Sequence, residues 1–173
     1  ALFRSPTGGA LHALVADHVV RGRVVFPGAA HLETARAACA SGAAGSGAAL
    51  NGVFFLQPLV LGEGGADAWM ECALLSGGGF EVRSGEAQGG QAELEEPVAH
   101  CSGRAAAAEA VAWRAVEAGS AQRRCATAAD AGALYSAFAA VGLADGPAFR
   151  AVEAARAGGG AAAARLRGGA AVR

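Results

Sequence analysis

The chain has 173 residues, with 14 Arg and no Lys against 15 Asp plus Glu, for a net charge of -1. That length fits one domain or slightly more, and the balanced charge leaves no electrostatic footprint for nucleic acid and no polybasic membrane patch. Hydrophobic residues reach 53%, yet 49 residues are Ala and 27 are Gly, so the core must be concentrated in a few segments. The strong apolar stretches are short and broken by charge, so no transmembrane helix is expected. No basic region followed by an apolar run reads as a signal peptide, and a start at Ala1 rather than Met reads as an excised piece.

Residues 11–27 predict a loop or short strand around His18, then an extended run at Arg23–Phe26, which Pro27 favours. Residues 28–40 predict a helix, with Leu32, Ala35 and Cys39 forming a narrow apolar stripe. Residues 41–49 read as a flexible break. Strands are predicted at Val53–Leu61, Trp69–Ser76, Phe80–Ser84 and Pro97–Ala105, with GEGGAD and GGG as hairpin connections. The acidic stretch Gly85–Glu96 reads as a surface loop. Residues 105–127 read as a linker. Residues 128–141 predict a second helix, with Leu134, Phe138 and Val141 on one face and Gly142 as a stop. After GPAFRAVEAA, which ends at residue 155, the Ala and Gly runs predict little regular structure. A helix followed by a meander gives an α+β fold whose sheet wraps the helix.

The cysteines Cys39, Cys72, Cys101 and Cys125 have no close pair with ligand spacing, so they read as reduced thiols rather than a zinc site. His18 is the side chain suited to proton abstraction near neutral pH. The N–H groups opening the 28–40 helix could polarise a carbonyl, and Gly28 would admit a ligand close to the backbone. Composition alone favours a satisfied structural histidine beside an exposed Asp. His12 and His100 read as core or surface residues in strand-like contexts, and His31 lies on the predicted helix. Gly77–Gly79 reads as a hairpin turn, since no Lys-Ser/Thr follows. Ser5, Ser76 and Ser84 lack a nucleophile context. Trp69 and Trp113 read as core or interface anchors.

His18, Gly22 and Pro27 form H-x-x-x-G-x-x-x-x-P within the run LVADHVVRGRVVFPGAAHLE at 14–33. QPLVL at 57–61, VAHCSG at 98–103 and GLADGPAFR at 142–150 follow in order. Together these resemble the dehydratase domains of polyketide synthases and related fatty-acid synthases. The resemblance implies a double hotdog, with a complete N-terminal hotdog over 1–105, a linker at 106–127 and the start of a second hotdog at 128–173. It implies loss of water from a 3-hydroxyacyl thioester on an acyl carrier protein, giving the 2-enoyl thioester. His18 would remove the α proton. The helix start near Gly28 would bind the thioester carbonyl, with Gly22, Pro27, Gly146 and Pro147 shaping the substrate site. No metal or diffusible cofactor is implied, since the phosphopantetheine arm belongs to the carrier. The implied partners are that carrier, other domains of the same synthase and a second copy of the chain, in the cytoplasm, with no nucleic acid or membrane.

Three positions depart from the family pattern. The family's D-x-x-x-Q or D-x-x-x-H motif, whose Asp would protonate the leaving hydroxyl, has no match after the G-P-x-F segment. Asp145 replaces a Tyr of that segment, and His31 stands where an aromatic residue is common. The rival readings are a structural remnant without turnover, a single-hotdog thioesterase or hydratase borrowing its acid from another subunit, and a non-enzymatic acyl-binding or docking module.

Overall fold

The computed structural model describes residues 1–42, 48–62, 68–86, 94–107, 119 and 123–168. In chain order the elements are β1 (Leu2–Pro6), α1 (Ala10–Val15), β2 (Val19–Val20), β3 (Arg23–Val24), α2 (Gly28–Ser41), β4 (Ala48–Phe55), β5 (Ala68–Leu74), β6 (Gly79–Glu86), β7 (Glu95–Ala107), β8 (Thr127–Ala129), α3 (Ala131–Ala140), β9 (Val152–Gly158) and β10 (Ala161–Leu166). The chain divides into two compact units. The first comprises Ala1–Ala16 with Arg23–Val111, and the second Asp17–Gly22 with Ala112–Arg173.

In the first unit five antiparallel strands run in the order β1-β5-β6-β7-β4. Helix α2 lies across β4 to β7. Pro27 caps it, with its carbonyl accepting from the Ala30 and His31 N–H groups. Of the predicted stripe, Ala35 and Cys39 lie on its buried face together with His31 and Ala38, while Leu32 is only half-buried; Ala35 and Ala38 share a core cluster with Met70, Cys72, Phe80, Val82 and Cys101 of the sheet. Alanine at the contact lets the sheet approach the helix closely. One helix wrapped by an antiparallel sheet is the α+β hotdog arrangement.

The other face of the sheet carries a charged ladder. Arg4, Glu71 and Arg83 are cross-strand partners on β1, β5 and β6. Glu71 is only 1% exposed, and both guanidinium groups bond its carboxylate, Arg4 at 2.8 Å. Desolvating a carboxylate is costly unless paired, and here two cations pair it.

Several boundaries differ from those expected. β4 begins at Ala48 and ends at Phe55. The segment after it is separate: Pro58 has no N–H, and residues 59–61 turn to bond residues 24–26 instead. Phe26 N donates to Leu59 O at 2.8 Å, and Leu61 N donates to Val24 O at 2.9 Å. β6 and β7 run into the expected surface loop as far as Glu86 and from Glu95. β1 and α1 were not foreseen, and His12 lies on α1 rather than on a strand. The GGG connection is a tight turn at Ser76–Gly78, where Gly77 and Gly78 have left-handed φ of 73° and 80°. Most of the GEGGAD connection, most of the expected 105–127 linker and Trp113 lie outside the described residues.

In the second unit three strands pair in the order β10-β9-β8. Asp130 caps α3, accepting from Gly132 N at 2.7 Å. Tyr135 on α3 accepts from Val152 N of β9 at 2.8 Å. The expectation of little structure after residue 155 is corrected by the β9–β10 hairpin, whose turn residues Gly159 and Gly160 have φ of 55° and 73°. Among the described residues no helix is long and apolar enough to cross a membrane.

Candidate functional site

Two stretches far apart in sequence meet in the second unit, and both carry motif residues. Ala144 N donates to Val19 O at 2.9 Å, and Arg21 N donates to Gly142 O at 2.6 Å. Val20 and Leu143 form an antiparallel bridge. Gly146 N donates to Asp17 O at 2.7 Å, and Ala148 N donates to Asp17 Oδ2 at 2.8 Å. This ladder explains why Asp17–Gly22 groups with the second unit, whereas the sequence alone groups it with residues 1–105. Arg21 and Gly22 both have positive φ, 49° and 76°. Two successive left-handed residues make a tight reversal, and the motif glycine adopts that geometry without strain.

The ladder places the second motif against the first. Pro147–Phe149 is one 3-10 turn, with Pro147 at its start, where a missing N–H costs nothing. The Phe149 ring lies 5.2 Å from the His18 imidazole, centroid to centroid, with planes at 44°. A Cβ on Gly146 would come within 2.4 Å of the Asp17 carboxylate, so only glycine fits there. His18, Gly22, Gly146 and Pro147 therefore belong to one assembled segment pair. Pro27 and Gly28 belong to the first unit, at the start of α2.

A second cluster lies in the first unit. His31 of α2 packs edge-on against Phe26 at 4.7 Å and lies 6.1 Å from His100 of β7, nearly parallel. His100 Nδ1 donates to Gln57 O at 3.2 Å, which leaves Nε2 to accept from Ser84 Oγ at 2.7 Å. His31 is 3% exposed, and among the described residues its Nδ1 has no hydrogen-bond partner. Burial, aided by the neighbouring His100, holds its pKa down to about 4. Burial lowers His100 as well. Sequence reasoning singled out His31, His100 and Ser84 separately but not together. The available signal was register: Ser84 faces Val98 across β6 and β7, with His100 two residues further along β7.

Two further carboxylates are engaged elsewhere, those of Glu153 and Asp130. Glu153 on β9 is ion-paired with Arg165 at 3.3 Å and Arg167 at 3.8 Å. Asp130 is the cap of α3. The Asp145 backbone carbonyl accepts from Arg150 Nε at 2.8 Å. No group of three metal-ligating side chains occurs among the described residues. All four cysteines are free and buried.

The family model described as polyketide synthase dehydratase domain matches residues 1–83, and the one described as polyketide synthase dehydratase N-terminal domain matches 114–171. The chain belongs to the polyketide synthase dehydratase domains. It is 40% identical over 163 residues to polyketide synthase ThaG of Burkholderia thailandensis, an alignment covering 88% of this chain and 3% of that protein. Its fold is shared with the dehydratase domain of the CurF module of curacin polyketide synthase, at TM-score 0.76 and 21% identity, covering 95% of this chain and 59% of that one. It also matches a trans-AT polyketide synthase dehydratase domain from Brevibacillus brevis, at TM-score 0.73 and 26% identity, covering 95% and 58%. The CurJ dehydratase, solved as an inactive mutant in complex with Compound 21, matches at TM-score 0.82 and 21% identity, covering 99% and 58%. The chain thus spans under three-fifths of these solved dehydratase domains and a small fraction of the curated synthase.

Proposed function

We propose that this chain supplies the base half of a dehydration: His18 removes the α proton of a 3-hydroxyacyl thioester. The substrate is carried on the phosphopantetheine arm of an acyl carrier protein, so the reaction needs no metal or diffusible cofactor. The other partners are domains of the same synthase and a second copy of the chain. The observation that carries this reading is the joining of the His18 and G-P-x-F motifs through a backbone ladder, with Phe149 against the imidazole. Neutral imidazole is well matched to the step, and general base catalysis is worth about 10^2–10^4-fold. Loss of the 3-hydroxyl as water also requires an acid. Glu153 is held by two arginines, which favours a second reading in which the chain binds acyl substrate without completing turnover.

The test is deuterium incorporation. A 3-hydroxyacyl carrier thioester is incubated with the chain in D2O and read by mass spectrometry. His18-dependent exchange at the α carbon, with or without enoyl product, is the expected result. Exchange equal to that of His18→Ala would overturn the reading of His18 as base. Binding of the thioester without exchange would establish the second reading instead.

A further inference from the structure

Asp17 precedes His18, yet its side chain reaches 131 positions along the chain to the G-P-A-F segment. Its carbonyl holds Gly146 N at 2.7 Å and its Oδ2 holds Ala148 N at 2.8 Å. Pro147 between them has no N–H, so Asp17 engages both amide donors of this three-residue stretch. The space for its carboxylate exists because residue 146 lacks a Cβ. The turn it grips closes through Phe149 N to Gly146 O at 3.0 Å, and that turn carries the ring lying against His18. A charged acceptor makes a stronger hydrogen bond than a neutral one, so the grip is directional as well as cohesive.

We propose that Asp17 is a positioning residue for His18. It acts through the Gly146–Phe149 turn, by fixing Phe149 as the wall against which the imidazole is oriented. The two adjacent residues divide the work: one side chain places the turn, and the turn places the other side chain. Misplacing a reacting group by about 1 Å can cost on the order of 10^2-fold in rate. The functional part of this inference rests on His18 being the base, while its structural part does not.

The experiment uses the full chain and two independent readouts. The first is the nuclear Overhauser contact between the His18 and Phe149 rings by NMR. The second is the His18-dependent α-proton exchange described above, with its pH profile. Asp17→Ala is expected to abolish the ring contact and lower exchange by about tenfold or more. Asp17→Asn keeps an acceptor oxygen in the same place and is expected to retain the contact and exchange within about threefold. An Asp17→Ala chain that stays folded with contact and exchange unchanged would overturn the proposal. Should Asp17→Ala unfold the second unit, Phe149→Ala decides: exchange lowered to a similar extent in a folded chain supports the role, and unchanged exchange overturns it. If His18→Ala exchanges as fast as the parent, the base reading fails, and the ring contact still reports on Asp17.

Discussion

The imidazoles of His31 and His100 lie nearly parallel inside the first unit, 6.1 Å apart and 17° from coplanar orientation. Neither ring faces a carboxylate there: His100 is bonded by Ser84 and Gln57, and His31 is packed by Phe26 and Phe55. Protonating His31 therefore puts a charge into an apolar, uncompensated place. Its pKa is lowered from about 6.5 unfolded to about 4 folded, so the unfolded chain binds the extra proton first. Stability is fully present above about pH 6.5, falls as pH drops toward 4, and levels off below that. The loss from this group is about 3 kcal/mol. Urea unfolding at pH 7.5 and 4.5 should show it, and His31→Phe should flatten the difference. An unchanged pH dependence in His31→Phe would refute the assignment.

Removing Glu71 should be among the more damaging single changes to the sheet. Glu71→Ala leaves Arg4 on β1 and Arg83 on β6, either side of β5, without the carboxylate that joins them. Breaking a buried ion pair from one side costs about 3–5 kcal/mol, with less here because both arginines are partly exposed. Chemical denaturation followed by Trp69 fluorescence is the measurement. Adding Arg4→Ala should recover part of the loss by removing one of the two like charges flanking β5.

The thiols should be silent in the folded chain. Cys72 is enclosed by core residues, and burial pushes its pKa up to about 12. Burial raises Cys39 and Cys101 too. The thiolate is the reactive form, so iodoacetamide at pH 8 should label these three slowly in the native protein and rapidly in denaturant. Fast native labelling of Cys72, read by mass spectrometry, would show that this core opens.

Gly78→Ala should weaken the β5–β6 hairpin through two separate penalties. Its φ of 80° costs an L-residue about 1–2 kcal/mol. An added Cβ would also stand 2.8 Å from the Ala105 carbonyl oxygen, which is backbone and cannot step aside cheaply. Gly62→Ala, with nothing within 4 Å, is the control expected to have little effect. Thermal unfolding distinguishes them.

The parts of the fold legible in sequence were those where side-chain size and punctuation coincide. Pro27-Gly28 before a run of helix formers marked α2, and Gly turns between apolar runs marked β5 to β7. The β9–β10 hairpin escaped because its pairing residues are mostly alanine, which carries no size alternation and favours helix in isolation. Three consecutive glycines at 158–160 were the turn signal, present but lost among other glycines. β1 escaped because LFRSP alternates too briefly for a period to show; its place is set by Arg4 reaching Glu71, a tertiary contact. Of the candidate site, His18 and the G-P-x-F segment were visible as motifs. The Asp17 grip that joins them depends on two backbone donors, which leave no trace in side-chain identity.

Because Asp17 and Ala148 are 131 positions apart, the setting of His18 cannot exist on a nascent chain until the G-P-A-F segment has been made. Translation at roughly 5–20 residues per second makes that delay on the order of ten seconds. Through that interval residues 17–22 have been synthesised without the partners that residues 142–148 supply, with only the β2–β3 pairing available locally. The sheet and helix of the first unit draw on residues before 112, so that unit can form while the motif beside it waits. A stop between Val111 and Gly142 would therefore leave a hotdog carrying the full His18 motif in sequence and none of its setting in space.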